Sequence, residues 1–472
     1  MSNTNKFSRK LCSTVVYLDN NGTTLVCPTA KKVHSEWLSC YNPSSDSKIA
    51  KPAKQVMEKA SDAILAHCGV SSATHTAVFT SGGTESNCFI IRSCCKAYKK
   101  KLAEKGSELR PHIVLSAIEH HSIMECVRDL VESGELDASY VQPTIYGNIL
   151  PQDVEKEIRP TTCLISIMYA NNEVPVINNI REIGLIAHNN HIPLHSDCVQ
   201  IFGKYKIDIV NDNIDALSAS GHKFYAPKGV GLLILSNDLI EGYGLTAEIS
   251  GSQQHGLRGG TENVAGVASM LTALKWAFIN RKKKNAKLLA LRERLLEKLA
   301  KYYRFNKFEN YVYGDDFVTG SKEKNKKSNV NVKVKVKNSD TNNKTNDTNN
   351  KDNLHIKKDL EVLSLGPPED KKGFILPNTV LLSVCKNKGK PFCNIELKKF
   401  LDSKGVIVSI GSACHTDSKK SSHVLTAIGA PPVVKRGVIR ISFGDFNTAS
   451  DVDKFITIFK QGIDKQCEDL NE

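Results

Sequence analysis

The sequence contains no run of about 18 apolar residues, which excludes a membrane-spanning helix of ordinary length. It contains no CxxC pair, so none of its 14 cysteines has zinc-knuckle spacing, and 14 in 472 residues is too sparse for a disulfide scaffold. The GxGxxG fingerprint of a dinucleotide site is absent, and so is the HExxH of a zinc protease. The first 16 residues have neither an acid nor a sustained apolar stretch. A secretory signal is therefore not expected, a basic organellar leader is the weaker alternative, and a reducing, cytoplasmic compartment is the expectation. There most thiols serve as small buried hydrophobes.

What is present is a long chain, 40% apolar and 24% charged, able to build one large core and a second, smaller one. Its formal charge of +14 favours anionic ligands, yet gives no specific sign of nucleic-acid or membrane binding. From Ser321 to Leu360 the chain has ten Asn and no aromatic, a composition that cannot offset the entropy of ordering. The expectation is a disordered Asn/Lys-rich insertion over residues 321–372, within which the alternating run Val330–Lys337 is its most strand-like part.

Before this insertion, short apolar runs alternate with helical patterns. AVFT precedes a glycine turn and a helix, HIVLS precedes EHHS, CLISIM precedes ANNE, and IPLHS precedes DCVQ. That alternation predicts an α/β fold, a mostly parallel sheet covered by helices, with ligands outside the carboxyl ends of its strands. One basic helix is expected over Val264–Tyr303, and after the insertion TVLLSV, VIVSIG and GVIRISFG alternate with two helices as a smaller α/β domain. The strand VVYLD could join either layer. The domains expected are an N-terminal segment over residues 1–30 that packs with the small domain, a large cofactor-binding domain over 31–263, a linking helix and the start of the small domain over 264–320, the insertion, and a small C-terminal domain over 373–472 that carries the Cys414 loop.

Four of the expected strand ends carry chemistry. Lys223, in SGHK, could form a Schiff base with an aldehyde if burial freed its amine. Asp197, in HSDCVQ, is the carboxylate that a pyridinium nitrogen requires. The turn Gly82-Gly83-Thr84-Glu85-Ser86 offers backbone N–H groups and a hydroxyl to a phosphate. His120 could lie flat on an aromatic ring; metal binding by His120 and His121 is the rival, although adjacent residues do not share a face. Each has a plainer reading alone: a solvated lysine, a tight connection, a surface histidine. Together they point to pyridoxal phosphate.

The chain resembles the pyridoxal-phosphate-dependent cysteine desulfurases of the NifS/IscS type, in the class V aminotransferase superfamily of fold type I. The resemblance rests on YLDNNGTT (Tyr17–Thr24), TSGGTESN (Thr80–Asn87), EHHS, ANNE (Ala170–Glu173), HSDCVQ, SGHK, LRGGTEN (Leu257–Asn263), GSAC (Gly411–Cys414) and IRISFG (Ile439–Gly444). It implies a mostly parallel seven-stranded sheet flanked by helices, with a smaller α/β domain. It implies Lys223 as the Schiff-base lysine, Asp197 on the ring nitrogen, and His120 stacked on the ring as well as relaying protons. Gly83, Thr84, Ser220 and His222 would surround the phosphate, with Asn172 and Gln200 near the phenolic oxygen. Thr261 would reach the phosphate of a second subunit, which implies a homodimer. Arg440, with Asn172, would hold the substrate L-cysteine, and Cys414 would carry the persulfide to a protein acceptor, an iron–sulfur scaffold or a sulfurtransferase.

Cys414 sits in GSACHTDSKKSSH, a small, polar setting that suits a reactive rather than a packing thiol. Ser47, Ala50, Pro175 and Asn178 depart from the family pattern, Pro175 and Asn178 in the loop that follows ANNE. Selenocysteine lyase, a sulfur-eliminating lyase, and an inactive structural or regulatory homologue are the competing readings.

Overall fold

The computed structural model describes residues 15–308, 357–368, 374–386, 392–411 and 422–469. The first strand, β1 (Val16–Tyr17), is followed by seven that build the main sheet: β2 (His75–Thr80), β3 (His112–Ser116), β4 (Asp137–Val141), β5 (Thr162–Ser166), β6 (Leu194–Asp197), β7 (Ala216–Ser220) and β8 (Gly231–Ser236). Their order is β2-β8-β7-β6-β5-β3-β4, parallel throughout except for β8, which runs against both neighbours. The mostly parallel sheet expected from the alternation is present, with the seven strands that the resemblance implies. Its central strands are buried on both faces, as the unbroken apolar runs of β5 and β8 require.

The smaller unit is a four-stranded sheet, β9 (Tyr303–Lys307), β10 (Lys357–Leu365), β11 (Thr379–Lys386) and, after the two-residue β12 (Val406–Ile407), β13 (Val438–Ser442). Its order is β13-β11-β10-β9. β1 pairs in parallel with β12, so the N-terminal strand joins this smaller unit. The helices Arg281–Tyr302, Asn394–Ser403 and Ala449–Asp469 supply Leu295, Leu299, Leu397, Phe455 and Phe459 to a core separate from that of the main sheet.

Two expectations need correction. The insertion does not extend to residue 372: β10 lies between β9 and β11 and buries Leu360, Val362, Leu363 and Leu365. Its apolar residues were obscured by the Lys and Asp that precede them. The run Val330–Lys337 lies outside the described residues. The helix expected over Val264–Tyr303 is two helices, Val264–Phe278 and Arg281–Tyr302. The break is at Ile279, which is extended, and Asn280, which takes the left-handed conformation that asparagine tolerates. Lys284, in the second of them, pairs with Asp445 at 2.8 Å and donates to the carbonyl of Trp276.

Shortening the chain by residues 321–350 is therefore expected to leave cooperative unfolding intact, with a thermal midpoint within about 3 °C of the parent. Removing Lys357–Leu365 takes out a strand paired on both edges and is expected to abolish that cooperative transition, as calorimetry of the two deletions would record.

Candidate active site

Parallel strands deliver their carboxyl ends to one edge, and there a cavity of about 300 Å³ opens between the main sheet and the smaller unit. Ten residues singled out from the sequence line it: Gly83, Thr84, His120, Asn172, Asp197, Gln200, Ser220, His222, Lys223 and Arg440. Thr261 does not; it is exposed, in the turn before the helix Val264–Phe278. Cys414 lies outside the described residues.

Lys223 ends a short 3₁₀ turn directly after β7. Its Nζ donates to the carbonyls of Asn21 and Gly22, at 2.5 and 2.8 Å, so the N-terminal segment supplies the oxygens that receive this amine. His222 beside it donates or accepts at Nδ1 with the hydroxyl of Thr23, 3.1 Å away. Burial, reinforced by the charge of Lys223, pushes His222 down to about 4, so the imidazole is neutral near pH ~7.

Asp197 is the last residue of β6. Its two oxygens accept from Asn87 Nδ2 and from the Val199 N–H, both at 2.9 Å, which fixes the plane of the carboxylate. His120 is the N-cap of the helix His121–Glu132, and its Nδ1 accepts from the Ser122 N–H at 3.2 Å. In the neutral ring the proton therefore sits on Nε2, and burial lowers the imidazole pKa in favour of that neutral form.

The anion-binding end is the first turn of the 22-residue helix Gly83–Glu104, where backbone N–H groups have no intrahelical acceptor. A Cβ at Gly83 would stand 2.7 Å from Val199 Cγ2, so only glycine lets the backbone come this close. Asn87 Oδ1, on the same helix and lining the cavity, is buried with no partner among the described residues. A phosphate cup, a carboxylate, an imidazole and an amine thus converge, a donor set that fits pyridoxal phosphate.

Arg440 projects from β13 into the cavity with its side chain 3% exposed. Nη2 meets Asp19 at 2.5 Å, Nη1 donates to the Asn172 carbonyl at 2.8 Å, and Nε is buried with no partner among the described residues. A strand arginine can point to solvent; this one is turned inward and held by a carboxylate from the N-terminal segment.

Several residues at the site were not singled out from sequence. Asn87 was read only as part of a motif, and Asp19, Asn21 and Ser122 act through hydrogen bonds that no spacing reveals. Lys204 is a fifth: it lies four residues past Gln200, its Nζ donates to Gln200 Oε1 at 3.4 Å, and burial, with Lys223 and Arg440 adding to it, pushes the amine down to about 7. Pro175, the first departure after ANNE, lies in a tight turn closed by Val176 N–H to the Val174 carbonyl at 2.7 Å. Asn178, the neighbouring departure, donates to the Met168 carbonyl and receives the Ile149 N–H.

Glu119, next to His120, is wholly buried, its Oε1 accepting from Ser116 Oγ and the Met168 N–H. Burial pushes its carboxyl up to about 8. The unfolded chain ionises this group near ~4.3, so between there and about pH 8 the folded state holds the extra proton and stability falls as pH rises. Glu119→Gln, which mimics the protonated acid, is expected to raise the thermal midpoint by about 2–4 °C near pH ~8 and to change it little near pH ~5. Thermal melts of both proteins at the two pH values check it.

Comparison with known proteins gives this geometry its family. Residues 16–315 match the model of the class-V aminotransferases. A cysteine desulfurase IscS of Methanosarcina thermophila is 32% identical over 95% of this chain and 92% of its own length. A solved NifS-like protein from Rickettsia africae is 25% identical with a TM-score of 0.70, covering 95% of this chain and 99% of that one. A solved structure described as SspA in complex with cysteine is 26% identical with a TM-score of 0.64, covering 92% and 99%. The chain therefore belongs to the class-V aminotransferase family, in its cysteine desulfurase branch, and is a pyridoxal-phosphate-dependent enzyme.

Proposed function

We propose that this protein removes the sulfur atom of L-cysteine, releases L-alanine, and keeps the sulfur as a persulfide on Cys414 for delivery to a protein acceptor, an iron–sulfur scaffold or a sulfurtransferase. The observation that carries the reading is the convergence of Lys223, Asp197, His120 and Arg440 on one cavity at the strand ends.

Lys223 would hold the cofactor covalently, with Asp197 as the partner of its ring nitrogen and His120 as the residue stacked on the ring. Gly83, Thr84, Ser220 and His222 would hold the phosphate, and Asn172 and Gln200 would serve the phenolic oxygen. When bound, pyridoxal phosphate supplies an aldehyde carbon for amines and a protonated ring that takes up electrons released at the substrate Cα. Arg440 binds the L-cysteine carboxylate; its unpartnered Nε–H and its planar fork suit that group better than a lysine would. The Lys223 amine is the base that would take the proton from the substrate Cα. His120, neutral with its proton on Nε2, donates and recovers a proton on the cavity side. The thiolate of Cys414 then attacks the substrate sulfur. A sulfur–sulfur bond forms, the sulfur–carbon bond breaks, and its electron pair stays with the carbon skeleton, which is protonated and leaves as alanine.

A homodimer completes the site in this reading, since Thr261 is exposed and does not line its own chain's cavity, which leaves its hydroxyl to serve that of a second copy. None of the cysteines among the described residues is in a disulfide, which supports a reducing, cytoplasmic setting. Among the described residues no helix is long and apolar enough to cross a membrane.

With L-cysteine and a reductant the purified enzyme is expected to yield alanine and sulfide in equal amounts; pyruvate and ammonia as main products would identify an eliminating lyase. Lys223→Ala is expected to lower turnover by about 10³-fold or more. Without reductant, mass spectrometry should find one added sulfur, about 32 Da, on the Cys414 peptide of the parent and none in Cys414→Ser. Added sulfur on Cys198, Cys385 or Cys393 instead would remove Cys414 from its role.

A further inference from the structure

We propose that Lys204 is a positioning residue: it holds the side-chain oxygen of Gln200, so that the Gln200 amide presents an N–H, and not its oxygen, to the phenolic oxygen of the cofactor. This role rests on the reading of Gln200 as that oxygen's partner.

Gln200 is 3% exposed and lines the cavity just past the end of β6. Its amide is held at both polar atoms. Nε2 donates to the carbonyl of Asn21 at 3.1 Å, and Oε1 accepts from Lys204 Nζ at 3.4 Å. A carbonyl can only accept, so the amide nitrogen has to face Asn21 and the amide oxygen has to face Lys204, whose amine donates whether charged or neutral. The opposite orientation would set one oxygen against another. One N–H of Nε2 goes to Asn21, and the other meets no acceptor among the described residues. The Asn21 carbonyl also receives Lys223 Nζ at 2.5 Å, so one oxygen places both the Gln200 amide and the amine at the strand end.

The backbone around Lys204 is tied on both sides. Gly203, with φ of +80°, turns the chain just before it. The Lys204 N–H donates to the Ile201 carbonyl at 2.9 Å, and the Lys204 carbonyl accepts from Asn285 of the helix Arg281–Tyr302 at 3.0 Å. The charged groups that face the amine offer it no rival acceptor: Lys223 and Arg440 are cations, and Asp445 is already paired with Lys284 at 2.8 Å. Among the described residues Lys204 makes no ion pair, and Gln200 Oε1 is the acceptor of its amine. A donor on the amide oxygen polarises the N–H bonds at the other end of the same amide and strengthens what they bind. An N–H on the phenolic oxygen favours the anionic form of that oxygen, and so lowers the pH at which the proton at that edge of the cofactor is lost and the visible band changes.

The test titrates the visible absorbance of the cofactor-loaded enzyme with pH in the parent, Lys204→Met, Gln200→Leu and the double variant. Methionine keeps the unbranched apolar stem without the amine, and its introduction leaves no acid without a partner. Gln200→Leu is expected to raise the midpoint of the absorbance change by about 0.5–1 pH unit and Lys204→Met by a similar amount. The double variant is expected to shift no further than Gln200→Leu alone, because a residue that acts through Gln200 has nothing to act on once the amide is gone. A direct effect of the Lys204 charge on the cofactor would persist without Gln200, and the two shifts would add. A parental or lowered midpoint in Lys204→Met, or additive shifts in the double variant, would overturn this inference alone. A parental midpoint in Gln200→Leu would overturn the placement of Gln200, and this inference with it.

Discussion

Buried cations need partners, and in this protein the partners of two come from one stretch, Tyr17–Thr24. Asp19 faces the Arg440 guanidinium, and the carbonyls of Asn21 and Gly22 receive Lys223. The same stretch stitches the two units together: Leu18 bonds through its backbone to Ile407 and Ser442 of the smaller unit, and Thr24 to His222 of the larger. Asn21 adds side-chain bonds to the Asn172 carbonyl and to Thr379. A charge left buried without its partner costs about 3–5 kcal/mol. The position of this strand is therefore coupled to the position of both functional cations, and the cavity exists in its present shape only while the two units are tied.

Much of this was legible in the sequence for a physical reason. A parallel sheet must be buried on both faces, so its strands show as unbroken apolar runs, and the polar residues that follow them have to lie at one edge. That placed Asp197, His120 and Lys223 together before any coordinates. Arg440 was legible for the opposite reason, a charge inside a strand pattern.

What was not legible depends on long-range packing. β10 carries the apolar residues of a strand, but its flanks have the composition of a disordered tract, and only its neighbours β9 and β11 reveal it. The helix break at Asn280 needs a single left-handed residue that periodicity does not signal. The hydrogen bond between Glu173 and Ser422 joins positions 249 apart in the chain, and no local pattern links them. Lys204 looks like any lysine after a glycine until the fold sets it behind Gln200, with its amine pushed down to about 7.

Two lysines rather than one lie near the cavity, and the one with the amine pushed down to about 7 is not the one at the strand end. Geometry decides between them: Lys223 lines the cavity and Lys204 stands behind Gln200. Treating the enzyme loaded with pyridoxal phosphate with borohydride, then mapping the attached cofactor by peptide mass spectrometry, distinguishes them directly. The account predicts the whole label on the peptide containing Lys223 and none on that containing Lys204. Label on Lys204, or a loaded enzyme that retains no cofactor after reduction, would contradict it.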